Sequence, residues 1–129
     1  MSNEGTPKPG CTVAPDVAVR LVETLRAKLV GKLDTSMERN VPLACRLMGA
    51  QTPGLSLDYR LNGEMEVYLY FENLDEVRKS TIASLEVYLS AKKPWEDYDI
   101  CVFDDKFKWF IGVTHNDAIT TIGLDHLFA

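Results

Sequence analysis

The sequence predicts an α+β domain in which an antiparallel sheet of about five strands carries two helices on one face. Two segments have the apolar spacing of amphipathic helices. The segment Leu55–Phe71 alternates apolar and polar residues, as a β-hairpin does. The last third of the chain reads as three short apolar strands separated by polar turns. Because neighbouring strands in sequence usually pair with each other, we expect a hairpin joined to a three-stranded meander.

Length and composition predict one globular unit. The 129 residues are close to the commonest size of a single domain. Hydrophobic residues make up 46% of the chain and charged residues 26%, which is typical of a globular protein rather than a disordered one. Residues 1–14 are rich in proline and glycine and predict a flexible tail. Residues 15–129 then form a single α+β domain.

The first helix is expected over residues 16–33, with Asp16 as its N-cap. A second helix is expected over residues 73–93. Asn73 serves as its N-cap with Glu76 three residues later, as in a capping box. The region between the first helix and the hairpin is left open, because its apolar stretch fits either a short strand or a helical turn.

The hairpin register follows from a parity argument. A two-residue Asn62-Gly63 loop would place the two apolar rows on opposite faces of the ribbon. A three-residue loop that begins at Leu61 pairs Tyr59 with Met65 and brings both rows to one face. We therefore predict the three-residue loop, with Gly63 in a left-handed bulge position.

The meander is predicted from three runs of β-branched and aromatic residues. They are Tyr98–Phe103, Phe107–Thr114 and Ala118–Leu124. The intervening segments are polar and contain aspartate and asparagine, as turns do.

Charge and cysteine content exclude several classes of protein. The net charge of −5 argues against a nucleic-acid partner. No apolar run approaches a membrane span or a signal peptide, so we expect no membrane partner and a cytoplasmic location. The three cysteines form no CxxC pair and no dense disulfide framework. Cys11 is expected in the tail, and Cys45 and Cys101 as small core residues.

Motifs for catalysis, phosphate binding and metal binding are incomplete or missing. The glycines never cluster as a phosphate-binding loop. Asp97, Asp99, Asp104 and Asp105 lack the spacing of a calcium loop, and two separated histidines are weak support for zinc. We therefore expect no cofactor, no metal and no enzyme activity. One alternative stays open: a small hydrolase or ligand-binding domain that uses His115 with Asp99 or Asp117.

Acidic side chains concentrate in the two predicted sheet segments, whereas the predicted helices are basic. Tyrosines share the outward face of the hairpin with carboxylates, a combination that suits a cationic protein surface. We expect the following contact residues for a basic protein partner: Glu64, Glu66, Tyr68, Tyr70, Asp97, Asp99, Asp104 and Asp105.

The segments Tyr98–Asp104 and Trp109–His115 resemble the C-terminal hairpin of small bacterial immunity-type proteins and of uncharacterised bacterial proteins. The resemblance covers this hairpin alone. It implies a cytosolic protein that binds and blocks a toxin domain. The charge pattern favours an immunity protein or other inhibitor of a basic toxin or enzyme, and we expect a monomer or dimer. A self-associating structural subunit is the third hypothesis.

Overall fold

Seven strands and four helices make up the fold seen in the computed structural model, which describes residues 6–38, 40–93, 95–96 and 98–128. In chain order the described elements are β1 (Cys11–Thr12), α1 (Pro15–Lys28), α2 (Leu43–Arg46), β2 (Ala50–Pro53), β3 (Glu66–Phe71), a 3-10 turn (Glu72–Leu74), β4 (Glu76–Thr81), α3 (Ile82–Ala91), β5 (Ile100–Phe103), β6 (Phe110–Val113), β7 (Ala118–Ile122) and α4 (Asp125–Phe128).

All seven strands join one antiparallel sheet in the order β1-β4-β3-β5-β6-β7-β2. The predicted α+β class and antiparallel sheet are confirmed, although the sheet is larger than expected. The predicted meander corresponds to β5, β6 and β7, each shorter than the apolar run that predicted it.

The predicted hairpin is wrong in its first half. Residues 55–61 contain no strand, and β3 pairs with β4 instead, with Glu66 opposite Thr81. Leu55 and Leu57 pack partly buried against the core, which satisfies their apolar spacing without a ladder of hydrogen bonds. Gly63 has no bulge role. Its carbonyl oxygen accepts the N–H of Ala83 at the start of α3.

The second predicted helix begins too early. Residues 76–81 form strand β4, and α3 starts after Thr81, whose side chain accepts the N–H of Ser84. A helical stripe and a strand share positions four residues apart, so Val77 and Thr81 fitted both patterns. The strand forms because β3 lies beside it and because the 3-10 turn brings the chain back, with Asp75 at a φ of 49°.

The first helix and the tail also differ from expectation. Helix α1 ends at Lys28, and the chain leaves the helical path near Gly31, which has a φ of 82°. The predicted tail contributes β1, which pairs with β4. The Arg78 side chain donates hydrogen bonds to the carbonyl oxygens of Pro9 (2.9 Å) and Gly10 (2.7 Å) and so holds this segment.

Helices cover both faces of the sheet rather than one. Helix α3 packs on the face that carries Leu69, Val102 and Trp109. Helices α1 and α2 pack on the opposite face, which carries Tyr70 and Phe103. Strands β3 and β5 therefore carry apolar side chains on both faces, as strands buried between two layers do. This two-sided cover overturns the expectation of a broad outward-facing tyrosine surface.

The undecided region before the hairpin forms the single turn α2 and the edge strand β2, which pairs with β7. Among the described residues, no helix has the length and apolar character needed to cross a bilayer.

Candidate functional site

Three side chains from distant parts of the sequence meet beside α2. We call Cys45, Asp99 and His115 the polar cluster. The His115 Nδ1 lies 2.9 Å from Asp99 Oδ1, and the Cys45 thiol donates to the same oxygen at 3.2 Å. The Cys45 sulfur lies 3.8 Å from His115 Nδ1. Asp99 is 2% exposed, whereas the His115 side chain is 47% exposed, so the cluster runs from the interior to the surface.

Strand pairing brings two of these residues together. Asp99 directly precedes β5 and His115 follows β6. Ile100 of β5 lies opposite Val113 of β6, so the two strand ends coincide. The sequence-based alternative had paired His115 with Asp99, and the structure places them in contact. Cys45 comes from α2, which no sequence pattern connected with this edge of the sheet.

Gly112 allows α2 to approach the sheet. A Cβ atom at this position would lie 2.7 Å from the carbonyl oxygen of Ala44 and 2.9 Å from a methyl group of Leu47. Only glycine tolerates such a close approach between a strand and another backbone. Because Cys45 follows Ala44 directly, this contact sets how far the thiol stands from Asp99.

Glu72 fixes the other end of α2. Its two carboxylate oxygens accept the backbone N–H groups of Leu43 (2.7 Å) and Ala44 (2.9 Å). Burial raises the pKa of Glu72, although these two hydrogen bonds act in the opposite direction. The Cys101 thiol also points at Glu72, at 3.6 Å. The carboxylate therefore anchors the turn that carries Cys45.

Asp99 is also held by Asn73 and by the backbone of His115. Its own N–H donates to Asn73 Oδ1 at 2.6 Å, and Asn73 Nδ2 donates to the Asp99 carboxylate at 3.5 Å. The backbone N–H of His115 donates to Asp99 Oδ1 at 3.0 Å. Burial opposes ionisation of Asp99, but the hydrogen bonds from His115 outweigh it and hold the pKa of Asp99 below its usual range. The aspartate is therefore a fixed, negatively charged centre.

This geometry does not resemble that of a nucleophilic cysteine. Burial and the neighbouring Asp99 raise the pKa of Cys45 to about 12, so the thiol keeps its proton at neutral pH. Asp99 and Cys45 also contact the same ring nitrogen of His115. A catalytic histidine instead receives the thiol proton on one nitrogen while an acid orients the other.

A second surface lies at the opposite end of β3 and β5. We call Glu66, Tyr68, Asp105 and Phe107 the acidic-aromatic patch. Glu66 and Asp105 are exposed, whereas Tyr68 and Phe107 are half-buried. Both aromatic rings contact Phe103, with centroids 5.8 and 5.2 Å from it. A depression of about 70 Å³ lies between Glu66, Tyr68, Lys79 and Asp105.

Several predicted contact residues do not reach the surface. Tyr70 is 4% exposed, and its hydroxyl donates to Asp75 at 3.0 Å, while burial raises its pKa to about 12. Asp99 is buried in the polar cluster. Neither side chain lies at the surface of this structure, because α1 and α2 cover this face of the sheet. Asp104 accepts the indole N–H of Trp109 at 3.0 Å and is half-buried.

The remaining predicted contact residues differ in their position. Glu64 is exposed, and its backbone N–H bonds to Asn62 at 2.9 Å. Asp97 lies outside the described residues. Asp117 faces solvent and forms an ion pair of 3.7 Å with Lys92, so it is not the partner of His115.

Sequence reasoning missed Cys45, Glu72 and Gly112. An isolated glycine inside an apolar strand was the one available signal, since it indicates a close backbone approach. Comparisons with protein-family profiles, curated proteins and solved structures found no match to this chain.

Proposed function

We propose that the protein is a small binding module for a cationic protein surface, as an immunity protein or inhibitor is for a basic toxin or enzyme. The acidic-aromatic patch carries this proposal. It joins two exposed carboxylates to two half-buried aromatic rings, with Glu66 and Tyr68 on β3 and Asp105 and Phe107 in the loop between β5 and β6. Aromatic side chains are the usual anchors of protein interfaces, and complementary charge chiefly raises the association rate and selectivity.

The backbone at Phe107 supports a built surface. Phe107 has a φ of 53°, a left-handed conformation that is uncommon for a bulky residue. Such conformations cost about 1–3 kcal/mol and tend to occur at functional sites. Here the conformation accompanies the stacking of Phe107 on Phe103, whose rings are inclined by 26°.

The two carboxylates of the acidic-aromatic patch have lysine side chains as neighbours. Glu66 pairs with Lys79 across the strands at 3.1 Å, and both side chains are more than half exposed. Lys106 and Lys108 are exposed in the loop that contains Asp105. The two patch carboxylates therefore form a small acidic site between lysines. A cationic side chain of the partner would replace Lys79 beside Glu66.

The test uses charge reversal at the patch. Glu66→Lys and Asp105→Lys are combined in one protein, and the control combines Glu23→Lys with Glu86→Lys, two exposed positions outside the patch. Binding to a labelled oligoarginine peptide is measured by fluorescence anisotropy at low and high salt. Asp104 stays intact because it bonds Trp109. We expect the wild-type protein to bind the peptide, and salt to weaken this binding. The patch variant should lose the binding, whereas the control variant should keep it. Equal losses in both variants would show that net charge, rather than the patch, attracts the peptide.

The partner itself is sought by affinity capture from lysate with the wild-type protein and the same two variants as baits. We expect the wild-type bait to capture one basic protein that elutes with salt. The control bait should also retain this protein, whereas the patch bait should not. A protein retained equally by the patch bait would refute this surface as the contact.

The alternative of a hydrolase or ligand-binding domain is favoured by one observation, the 2.9 Å contact between His115 and Asp99. Such a domain would lose turnover or ligand binding in His115→Ala. The high pKa of Cys45 argues against the thiol as its nucleophile. A self-associating subunit is the third possibility, and sedimentation of the protein at high concentration tests it directly.

A further inference from the structure

We propose that Cys45, Asp99 and His115 bind one divalent transition-metal ion of the borderline class, such as Zn²⁺. Within the described part of the chain, this is the place where three side chains of ligand type bring one donor atom each within 4.8 Å of one another. The inference is independent of the acidic-aromatic patch, which lies at the other end of the same strands.

The donor separations fit one face of a coordination tetrahedron. Zinc lies about 2.3 Å from thiolate sulfur, about 2.0–2.1 Å from imidazole nitrogen and about 2.0–2.2 Å from carboxylate oxygen, so tetrahedral angles place these donors about 3.3–3.6 Å apart. The observed separations are 3.2 Å between sulfur and oxygen, 3.8 Å between sulfur and nitrogen, and 2.9 Å between nitrogen and oxygen. Shifts of a few tenths of an ångström would bring all three donors to bonding distance.

Each donor is already held by neighbours that a metal ion would not displace. The Glu72 carboxylate anchors the start of α2, and Gly112 lets this helix lie close to the sheet. Asn73 holds Asp99. The backbone N–H of His115 bonds the Asp99 carboxylate and so fixes the loop segment that carries the imidazole. Outer contacts of this kind orient the ligands in known metal sites.

The donor chemistry selects the class of ion. Thiolate and imidazole favour Zn²⁺ and Co²⁺, whereas Mg²⁺ and Ca²⁺ require sets of oxygen ligands. The His115 side chain is half-exposed, so the cluster reaches the protein surface, where water or a ligand atom can take the fourth position of a tetrahedron. Three protein ligands with an open position are typical of catalytic rather than structural zinc sites.

Binding requires a defined rearrangement of protons. The Cys45 S–H now donates a hydrogen bond to Asp99. Formation of the metal–sulfur bond releases the thiol proton to solvent. The proton that His115 Nδ1 now directs at Asp99 is also given up to solvent, and the neutral imidazole carries its one proton on Nε2, so that the Nδ1 lone pair can face the ion. Asp99 keeps the hydrogen bond from the backbone of His115 and contributes its free lone pair.

The test is a Co²⁺ titration of the full-length protein under reducing conditions, with Co²⁺ alone as the probe. We expect one equivalent to produce a thiolate-to-cobalt charge-transfer band together with intense visible bands of tetrahedral Co²⁺, and Zn²⁺ to abolish both. Cys45→Ser should remove the charge-transfer band, whereas Cys11→Ser, a control at an exposed cysteine, should retain it. Absence of the band in the wild-type protein, or its persistence in Cys45→Ser, would overturn the assignment.

A second variant covers the case in which Cys45→Ser fails to fold. His115 is half-exposed and its removal leaves the core intact, so His115→Ala should fold normally. Its affinity for Co²⁺ should fall at least about 100-fold, since loss of outer contacts alone costs about 10–100-fold. His126→Ala, the control at the other histidine of the chain, should bind like the wild-type protein. Equal affinity of His115→Ala and His126→Ala would disprove the site. The patch variant should bind Co²⁺ normally, which keeps this result separate from the proposed function.

Discussion

The two ends of β3 and β5 carry acidic residues on the same face of the sheet, yet the protein uses these acids differently. At one end Glu72 and Asp99 are enclosed by α2, and every carboxylate oxygen contacts a donor. At the other end Glu66 and Asp105 are exposed to solvent. The enclosed acids fix backbone and side-chain positions, whereas Glu66 and Asp105 stay in contact with solvent. Residue type alone does not distinguish these two roles, because the position of α2 decides between them.

The sharpest way to break this contrast is to remove one glutamate from each end of β3. Glu72→Ala leaves the N–H groups of Leu43 and Ala44 without their acceptor, so the free energy of unfolding should fall by about 2–4 kcal/mol. Glu66→Ala removes an exposed side chain and should leave the urea midpoint unchanged. Urea denaturation of both variants measures the difference. Similar midpoints for the two variants would mean that Glu72 does not anchor α2.

The second prediction concerns the approach of α2. Gly112→Ala places a methyl group against the Ala44 carbonyl and should lower the free energy of unfolding by about 1–3 kcal/mol. It should also weaken Co²⁺ binding, because Cys45 moves with α2. Gly63→Ala is the control, since the nearest atom to its new methyl group is the Ala83 Cβ, at 3.3 Å, and the Ala83 backbone lies no closer than 3.9 Å. An unchanged free energy of unfolding in Gly112→Ala would show that α2 can move away from the sheet without loss of stability.

The third prediction separates the two enclosed acids by pH. The pKa of Asp99 is lowered by folding, so its contribution to stability is present above its unfolded value of about 3.8 and is lost as the pH falls through the folded value. The pKa of Glu72 is raised, so its contribution is present below its unfolded value of about 4.5 and is lost as the pH rises through the folded value.

Metal-free chemical denaturation between acid and neutral pH checks this pair. The destabilisation by Asp99→Asn should be larger at neutral pH and should fade in acid. The destabilisation by Glu72→Gln should instead be larger in acid. Parallel pH profiles for the two variants would contradict the opposite pKa directions.

The smallest expected effect lies at the exposed end. Lys79→Ala removes the cation that now occupies Glu66 and should strengthen binding of the oligoarginine peptide by about two- to fivefold, without a change in stability. Lys28→Ala, at an exposed position in the last turn of α1, removes the same charge away from the patch. Equal gains in the two variants would assign the effect to net charge.

The fold class and the meander were predictable because their signals are local: β-branched runs and polar turns lie within a few residues of each other. The strand that pairs with β3 was not predictable. Residues 55–61 alternate apolar and polar side chains as a strand does, and only tertiary packing makes β4 the partner instead. The site was half predictable. Asp99 and His115 flank neighbouring antiparallel strands, whereas the position of Cys45 depends on how α2 packs, which is a tertiary contact.

The pairing of β2 with β7 sets a condition on how the chain folds during synthesis. Thr52 and Ile119, which contact each other across these strands, are 67 positions apart, and β7 leaves the ribosome after the other six described strands. Until then β2 has no partner, and α2, one loop before it, has no completed sheet edge beside it. Because long-range pairing must await loop closure, folding is expected to be slow. A nascent chain cut before β7 would expose the unpaired edge of β6, which is a route to aggregation.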